Sequence, residues 1–219
     1  MMNLGRTVLP IVAVTAMLVQ GCGETKETNA ETSNPNEEPK VEVCTYTVDQ
    51  ENVEVLWTAY KYNQKTGVKG SFATFSISGN QPAQEPEGTL DGAIIDIKTE
   101  SIDSGDPTRD PKILEHFFGS FEDGENIHAE VLTVDREKSS LLVSITMNGK
   151  SVEAEAPYTM SEGQIEAKME INVNDWAAEA GLSALNVACE DLHKGSDGES
   201  ILWPDVSLIV TVPLTKACD

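Results

Sequence analysis

The side chains best suited to chemistry in this chain are a charged loop, a cysteine–histidine pair and three scattered histidines. Asp103, Arg109 and Asp110 lie in a stretch, 101–111, that also holds Gly105, Pro107 and Pro111. Such a trio could grip a polar or acidic head group. The stronger reading is structural. A guanidinium has five donors that can satisfy loop carbonyls and a neighbouring carboxylate. Gly105 supplies a turn, and Asp110-Pro111 reads as a helix N-cap with proline in the first turn. Cys189 and His193 have the i, i+4 spacing of one helix face, but no second ligand pair is near in sequence, so no metal site is assigned. A helical cysteine and a histidine closing the helix end is the preferred reading. His116, His128 and His193 lie apart and none has an evident nucleophile partner. There is no G-x-S-x-G elbow and no Gly-rich phosphate loop. The 37 carboxylates are too many to nominate an acid–base pair. No catalytic residue is assigned and the chain is not read as an enzyme; thiol chemistry at Cys44, Cys189 or Cys218 ranks behind two non-catalytic readings.

Charge narrows the partners. With 37 Asp and Glu against 15 Lys and Arg, the formal net charge of the 219 residues is −22. A phosphate backbone needs a cationic face, so nucleic acid is excluded as a partner. Loose adhesion to anionic lipid heads is disfavoured, although a covalent anchor is not. A hydrophobic content of 39% with 5 Phe, 4 Tyr and 3 Trp suffices for one real core.

The N-terminus reads as an address. Arg6 is the only charge before an apolar run from Val8 to Val19, too short and wrongly flanked for a spanning helix. The run ends in Leu18-Val19-Gln20-Gly21-Cys22, which resembles the bacterial lipobox. That resemblance implies a lipoprotein signal peptide over 1–21, cleavage before Cys22, and acylation of Cys22, with palmitate among its chains. Gly23 after the cysteine implies the outer membrane, with the protein facing the periplasm. Residues 22–43 hold no aromatic and are dominated by Glu, Thr, Asn and Pro, a flexible tether. The folded domain is then 44–219, with 12 basic and 31 acidic residues.

An oxidising compartment makes one disulfide expected among Cys44, Cys189 and Cys218. Cys44 precedes the first strand pattern and Cys218 follows the last. If the first and last strands are antiparallel neighbours, Cys44–Cys218 is favoured; Cys44–Cys189 is the rival.

The elements that must position these residues are mostly strands. Val53, Val55, Trp57 and Ala59 alternate onto one face, and Leu56, Tyr60 and Tyr62 fall on the other. Further strands are expected over 68–77, where Gly70 marks a bend, and over 89–98, 127–134, 141–147, 152–158, 165–173 and 206–214. Asn148-Gly149 signals a tight hairpin. Residues 112–119 read as a short helix and 175–192 as a second, with Asp175 as its N-cap. The expected fold is all-β: an extended eight-stranded antiparallel barrel with two short helices. Closure removes the unpaired edges, and eight strands enclose a small ligand or just their own side chains. Ile165, Ala167, Met169 and Ile171, with Val152, Ala154 and Ala156, form small apolar inward stripes that leave room for either outcome.

Two motifs carry a family resemblance. Val68-Lys69-Gly70-Ser71-Phe72 follows the Trp57-Thr58-Ala59-Tyr60-Lys61 strand, and Ser101-Ile102-Asp103-Ser104-Gly105 continues through Arg109-Asp110 to Phe117-Phe118. With the strand series around them, these resemble the YceI-like family over roughly residues 46–214. A histidine-bearing start and a tyrosine-proline step after the phenylalanine pair are not found here. The 175–205 insert looks like a subgroup feature.

The resemblance implies a lipocalin-like barrel whose apolar cavity holds a polyisoprenoid or quinone-type lipid, in a periplasmic binding protein. No cofactor is implied beyond a bound isoprenoid lipid. The expected wall comprises Trp57, Ala59, Phe72, Phe75, Ile95, Phe117, Phe118, Ile145, Ala167 and Met169. Adjacent Phe117 and Phe118 cannot face the same way, so one is expected in the core and one at the cavity mouth. Trp176 and Trp203 flank the insert, where they cap an open end or bury the helix. The alternative is a packed barrel acting as a tethered interaction module. Either reading admits a homodimer.

Overall fold

The computed structural model describes residues 42–219; the expected signal peptide, Cys22 and most of the expected tether fall outside the described residues. The described part is one curled sheet of eleven antiparallel strands. They are β1 (Cys44–Val48), β2 (Glu54–Lys61), β3 (Thr66–Phe72), β4 (Phe75–Ser78), β5 (Ile94–Lys98) and β6 (Ile102–Asp103). The second half holds β7 (Asn126–Asp135), β8 (Ser140–Met147), β9 (Lys150–Ser161), β10 (Gln164–Asn172) and β11 (Leu202–Cys218). Their order is β4-β5-β7-β8-β9-β10-β11-β2-β3-β6, with β1 added to the far end of β11.

Alternation explains why these segments are strands. In β8 Leu141, Val143, Ile145 and Met147 are buried while the residues between them are not. In β10 Ile165 and Ala167 do the same. Period-2 burial is the signature of a sheet with one face on the core.

The expected barrel of eight strands is subdivided. The segment 68–77 breaks at Ala73–Thr74, where Ala73 N–H donates to Ser101 O (2.9 Å) and Lys98 N–H donates to Thr74 O (3.1 Å). The break turns one run into β3 and β4, which occupy opposite parts of the strand order. The expected strand over 89–98 starts only at Ile94, because Pro86–Leu90 forms a tight helical turn in which Thr89 Oγ1 donates to Pro86 O (2.7 Å). The last strand runs the whole of Leu202–Cys218, longer than the 206–214 expected.

That length matters at the domain's ends. β1 pairs antiparallel with the end of β11, Cys44 faces Cys218 in register, and the two form a disulfide across 174 residues of chain. Cys189 is free and buried, so the Cys44–Cys189 alternative does not form.

The helical segments also differ from expectation. The 112–119 helix is a single α-turn, α1 (Asp110–Lys112), followed by a wide turn over Ile113–Phe117 and a tight one over Phe118–Ser120. Asp110 is not the N-cap: Arg109 holds that position, and Asp110 Oδ1 instead accepts from the Ser104 N–H (2.9 Å) and hydroxyl (2.5 Å). The insert begins with a tight turn over Val173–Trp176, capped by the Asn172 side chain. Asp175 therefore lies inside that turn and caps nothing. The helix proper, α2 (Glu179–Ala188), follows, then the short α3 (Glu190–His193). Among the described residues no helix is long and apolar enough to cross a membrane.

Candidate functional site

The inward face of the curled sheet does not close on itself. It encloses an elongated cavity of about 240 Å³. On β11 the lining runs from Leu202 to Val212, roughly 30 Å at the usual strand rise of about 3.3 Å per residue. The volume is just below the roughly 300–1,000 Å³ of small-molecule sites, yet it is drawn out along the strands. That shape suits a chain better than a fused ring system. Asn80 and the Trp57 and Trp203 indoles are the lining side chains with a nitrogen or oxygen atom; the rest are hydrocarbon or thioether.

Each indole is held by a backbone acceptor. Trp57 Nε1–H donates to Ser71 O (3.2 Å), and Trp203 Nε1–H donates to Tyr62 O (2.6 Å). The indole of Trp57 lies across Gly70 of the neighbouring strand, where a Cβ would be 2.2 Å from Trp57 Cζ2. Gly70 thus marks a close approach within β3 and not the bend expected there; the bend is at Ala73–Thr74.

Nine of the ten expected wall residues line this cavity: Trp57, Ala59, Phe72, Ile95, Phe117, Phe118, Ile145, Ala167 and Met169. Phe75 does not; it packs half-buried against both core clusters. Phe117 and Phe118 were expected to divide between core and mouth. Both reach the cavity, because the wide turn and the tight turn meet between them. Their rings pack edge-to-face at 5.1 Å, and Phe121 joins each of them, the arrangement favoured by the aromatic quadrupole. α2 covers them closely, since a Cβ at Gly181 would be 2.6 Å from Phe117 O.

The stripe Val152, Ala154 and Ala156 does not line the cavity: Ala156 is wholly buried in the core, Val152 packs against it, and Ala154 is half-buried. Trp176 likewise buries the insert, its Nε1–H donating to Ile145 O (2.8 Å). Trp203 instead lines the cavity at the insert end, with Lys65 over its ring at 4.6 Å.

The charged loop is largely occupied with itself. Arg109 donates to Ser104 O and to Asp106 Oδ2, both at 3.3 Å, and Asp103 Oδ1 accepts from Gly105 N–H (2.8 Å). The histidines do not converge: His128 pairs with Asp96 on the surface (2.7 Å), and His193 Nδ1–H donates to Asn186 Oδ1 (3.0 Å). The one trio of metal-ligating side chains close enough to share an ion, among the described residues, is Glu42, Cys44 and Cys218, and its cysteines are bonded to each other.

Sequence reasoning missed a second, smaller pocket of about 160 Å³ against the insert end of the cavity. The two share Trp57, Ala59, Ile113, Leu185 and Leu202. Its remaining wall mixes apolar Val68, Cys189 and Leu192 with polar residues, among them Lys61, Asp106, Arg109, Lys112 and His193. No local motif links these residues, which come from β2, the charged loop and the insert.

Comparison with known proteins agrees with this architecture. The profile of the YceI-like domain matches residues 46–200. No curated protein matches the chain. Among solved structures, a polyisoprenoid binding domain from Saccharophagus degradans, implicated in plant cell wall breakdown, superposes with a TM-score of 0.54 at 13% identity, covering 78% of this chain and 98% of that one. BcnA of Burkholderia cenocepacia gives 0.49 at 13% identity, covering 77% and 99%. The Campylobacter jejuni YCEI protein gives 0.49 at 17%, covering 73% and 89%.

Proposed function

Because the chain belongs to the YceI-like domain family, whose profile spans residues 46–200, we propose that it is a binding protein that buries the hydrocarbon chain of an amphiphilic lipid, of the polyisoprenoid or quinone type, in its barrel. The observation that carries this reading is the elongated cavity, whose wall is hydrocarbon apart from Asn80, two indoles and two thioethers. The fold is shared with a domain described as binding polyisoprenoids. Burial of apolar surface contributes about 25 cal/mol per Å². Several hundred Å² of lipid chain therefore gives a gross gain on the order of 10 kcal/mol, reduced by the costs of association and ordering. No covalent step is needed for this role, and the reading assigns no catalysis.

The test is to purify the full chain from a bacterial envelope, extract it with organic solvent and weigh what is released. A stoichiometric prenyl lipid supports the reading. A protein free of lipid, whose mass in native spectra is unchanged by quinones and prenyl phosphates, sinks it and favours the packed interaction module.

The lipobox resemblance at Leu18–Cys22 supports a location on the periplasmic side of the outer membrane, through acylated Cys22. Labelled palmitate should enter the wild-type chain and not Cys22→Ser, which should leave the membrane fraction. Equal labelling of both would refute the anchor.

A further inference from the structure

The structure assigns a head-group subsite. We propose that the pocket formed by Lys61, Arg109, Lys112 and His193 receives a phosphate-type anion carried at the end of the lipid whose chain fills the apolar cavity. The inference rests on the lipid-carrier reading and narrows it, because a neutral quinone ring would gain little from these groups.

Three observations lead there. The first is position: the pocket shares five wall residues with the insert end of the cavity, so an amphiphile threaded into the barrel would leave its head among these side chains. The second is charge. The chain is strongly acidic, with a net charge of −22, yet this pocket gathers three cations against the single carboxylate of Asp106. A concave site lined by one sign focuses the field on an oppositely charged ligand. The field is already felt inside the fold: burial, and then the charges of Lys61, Arg109 and Lys112, push the His193 imidazole down to about 4.

The third observation is that these cations are incompletely paired. Arg109 meets Asp106 at 3.3 Å. Lys61 donates to the Leu192 carbonyl (2.9 Å) and lies over the Tyr62 ring. Neither Lys61 nor Lys112 has a carboxylate partner among the described residues; Lys69, Lys98, Lys150 and Lys216 share that lack, so what sets these two apart is their convergence on one pocket with Arg109. The Tyr60 and Thr108 hydroxyls are already engaged, with Ser207 Oγ and Asp106 Oδ1 respectively (2.7 Å each), which leaves the cations as the donors free for a ligand. A guanidinium and two ammonium groups are the donors that recognise phosphate oxygens.

The experiment compares geranylgeranyl phosphate, geranylgeraniol and inorganic phosphate by calorimetry on the full chain and on a Lys61→Gln/Lys112→Gln double variant. In the wild type the lipid phosphate should bind at least about tenfold tighter than the alcohol, the size expected from one or two charge-assisted hydrogen bonds. In the double variant that advantage should fall to within about threefold while the alcohol's affinity holds, which also shows that the variant is folded. Inorganic phosphate should bind far more weakly than the lipid phosphate.

Equal affinities for phosphate and alcohol in the wild type would overturn the subsite and leave the carrier reading standing. So would a phosphate preference that survives in the double variant. Inorganic phosphate binding as tightly as the lipid phosphate would assign the pocket to a free anion and overturn the head-group role. Failure of both lipids to bind would overturn the subsite and the carrier reading together.

Discussion

Trp57 and Gly70 face each other across β2 and β3, and the indole occupies the volume that a side chain at 70 would need. The contact builds one wall of the cavity from two residues that do not look related in sequence. It lays the ring flat along the sheet, with its N–H satisfied by Ser71 O.

Gly70→Ala should therefore displace the indole. Two ring atoms and the Asp103 carbonyl lie within 2.6 Å of the added carbon. Overpacking of this kind costs about 1–3 kcal/mol. Urea denaturation should show that loss, with an altered tryptophan emission in the folded baseline. Unchanged stability and emission would mean that the wall yields more easily than its packing indicates.

Ala167 is one of the four alanines, with Ala59, Ala93 and Ala129, that keep space in the wall. Ala167→Phe should fill the cavity, abolishing co-purification of lipid while the far-UV spectrum stays that of the parent. Lipid recovered at the parental stoichiometry would show that the chain does not pass beside β10.

The Cys44–Cys218 bridge closes a loop spanning 174 residues, nearly the entire domain. On the chain-entropy account such a crosslink contributes up to about 5 kcal/mol. A Cys44→Ser/Cys218→Ser variant should lower the denaturation midpoint, and a reductant should move only the parent. Coincident midpoints for parent and variant under oxidising conditions would refute the contribution.

His193 adds a pH dependence. Its folded pKa is about 4 against the ordinary 6.5, so on acidification the unfolded chain takes up this proton first. The contribution is fully present above about pH 6.5 and is lost as the pH falls towards 4. His193→Asn keeps a donor for Asn186 and removes the titration. The stability difference between parent and variant should shift across that window, against the parent at the acid end. A difference that stays flat from pH 7 to about 4 would contradict the depressed imidazole.

Much of the fold is legible locally because burial in a half-buried sheet has a period of two. The runs through β8 and β9 show it directly, as does the start of β10, and Leu141 to Met147 needs no tertiary information to be read as a strand with one apolar face. The charged loop is legible for a similar reason: Gly105, Arg109 and Asp110 have local partners, although Asp110 serves Ser104 and not the helix end. The corner at Ala73–Thr74 escapes such a reading. Its backbone groups pair with Ser101 and Lys98, and that pairing is not written in the residues around the corner.

The sequence by itself determined the strand content, the inward apolar stripes, the family motifs and the placement of Cys44 and Cys218 outside the first and last expected strands. These depend on short-range alternation and spacing. Only the tertiary structure decided that the stripes line a long cavity as well as a packed core, that Gly70 makes room for Trp57, and that Lys61, Arg109, Lys112 and His193 share one pocket. Those facts follow from strand order and from the curl of the sheet. Both are settled by contacts between residues far apart in the chain, where no local period carries information.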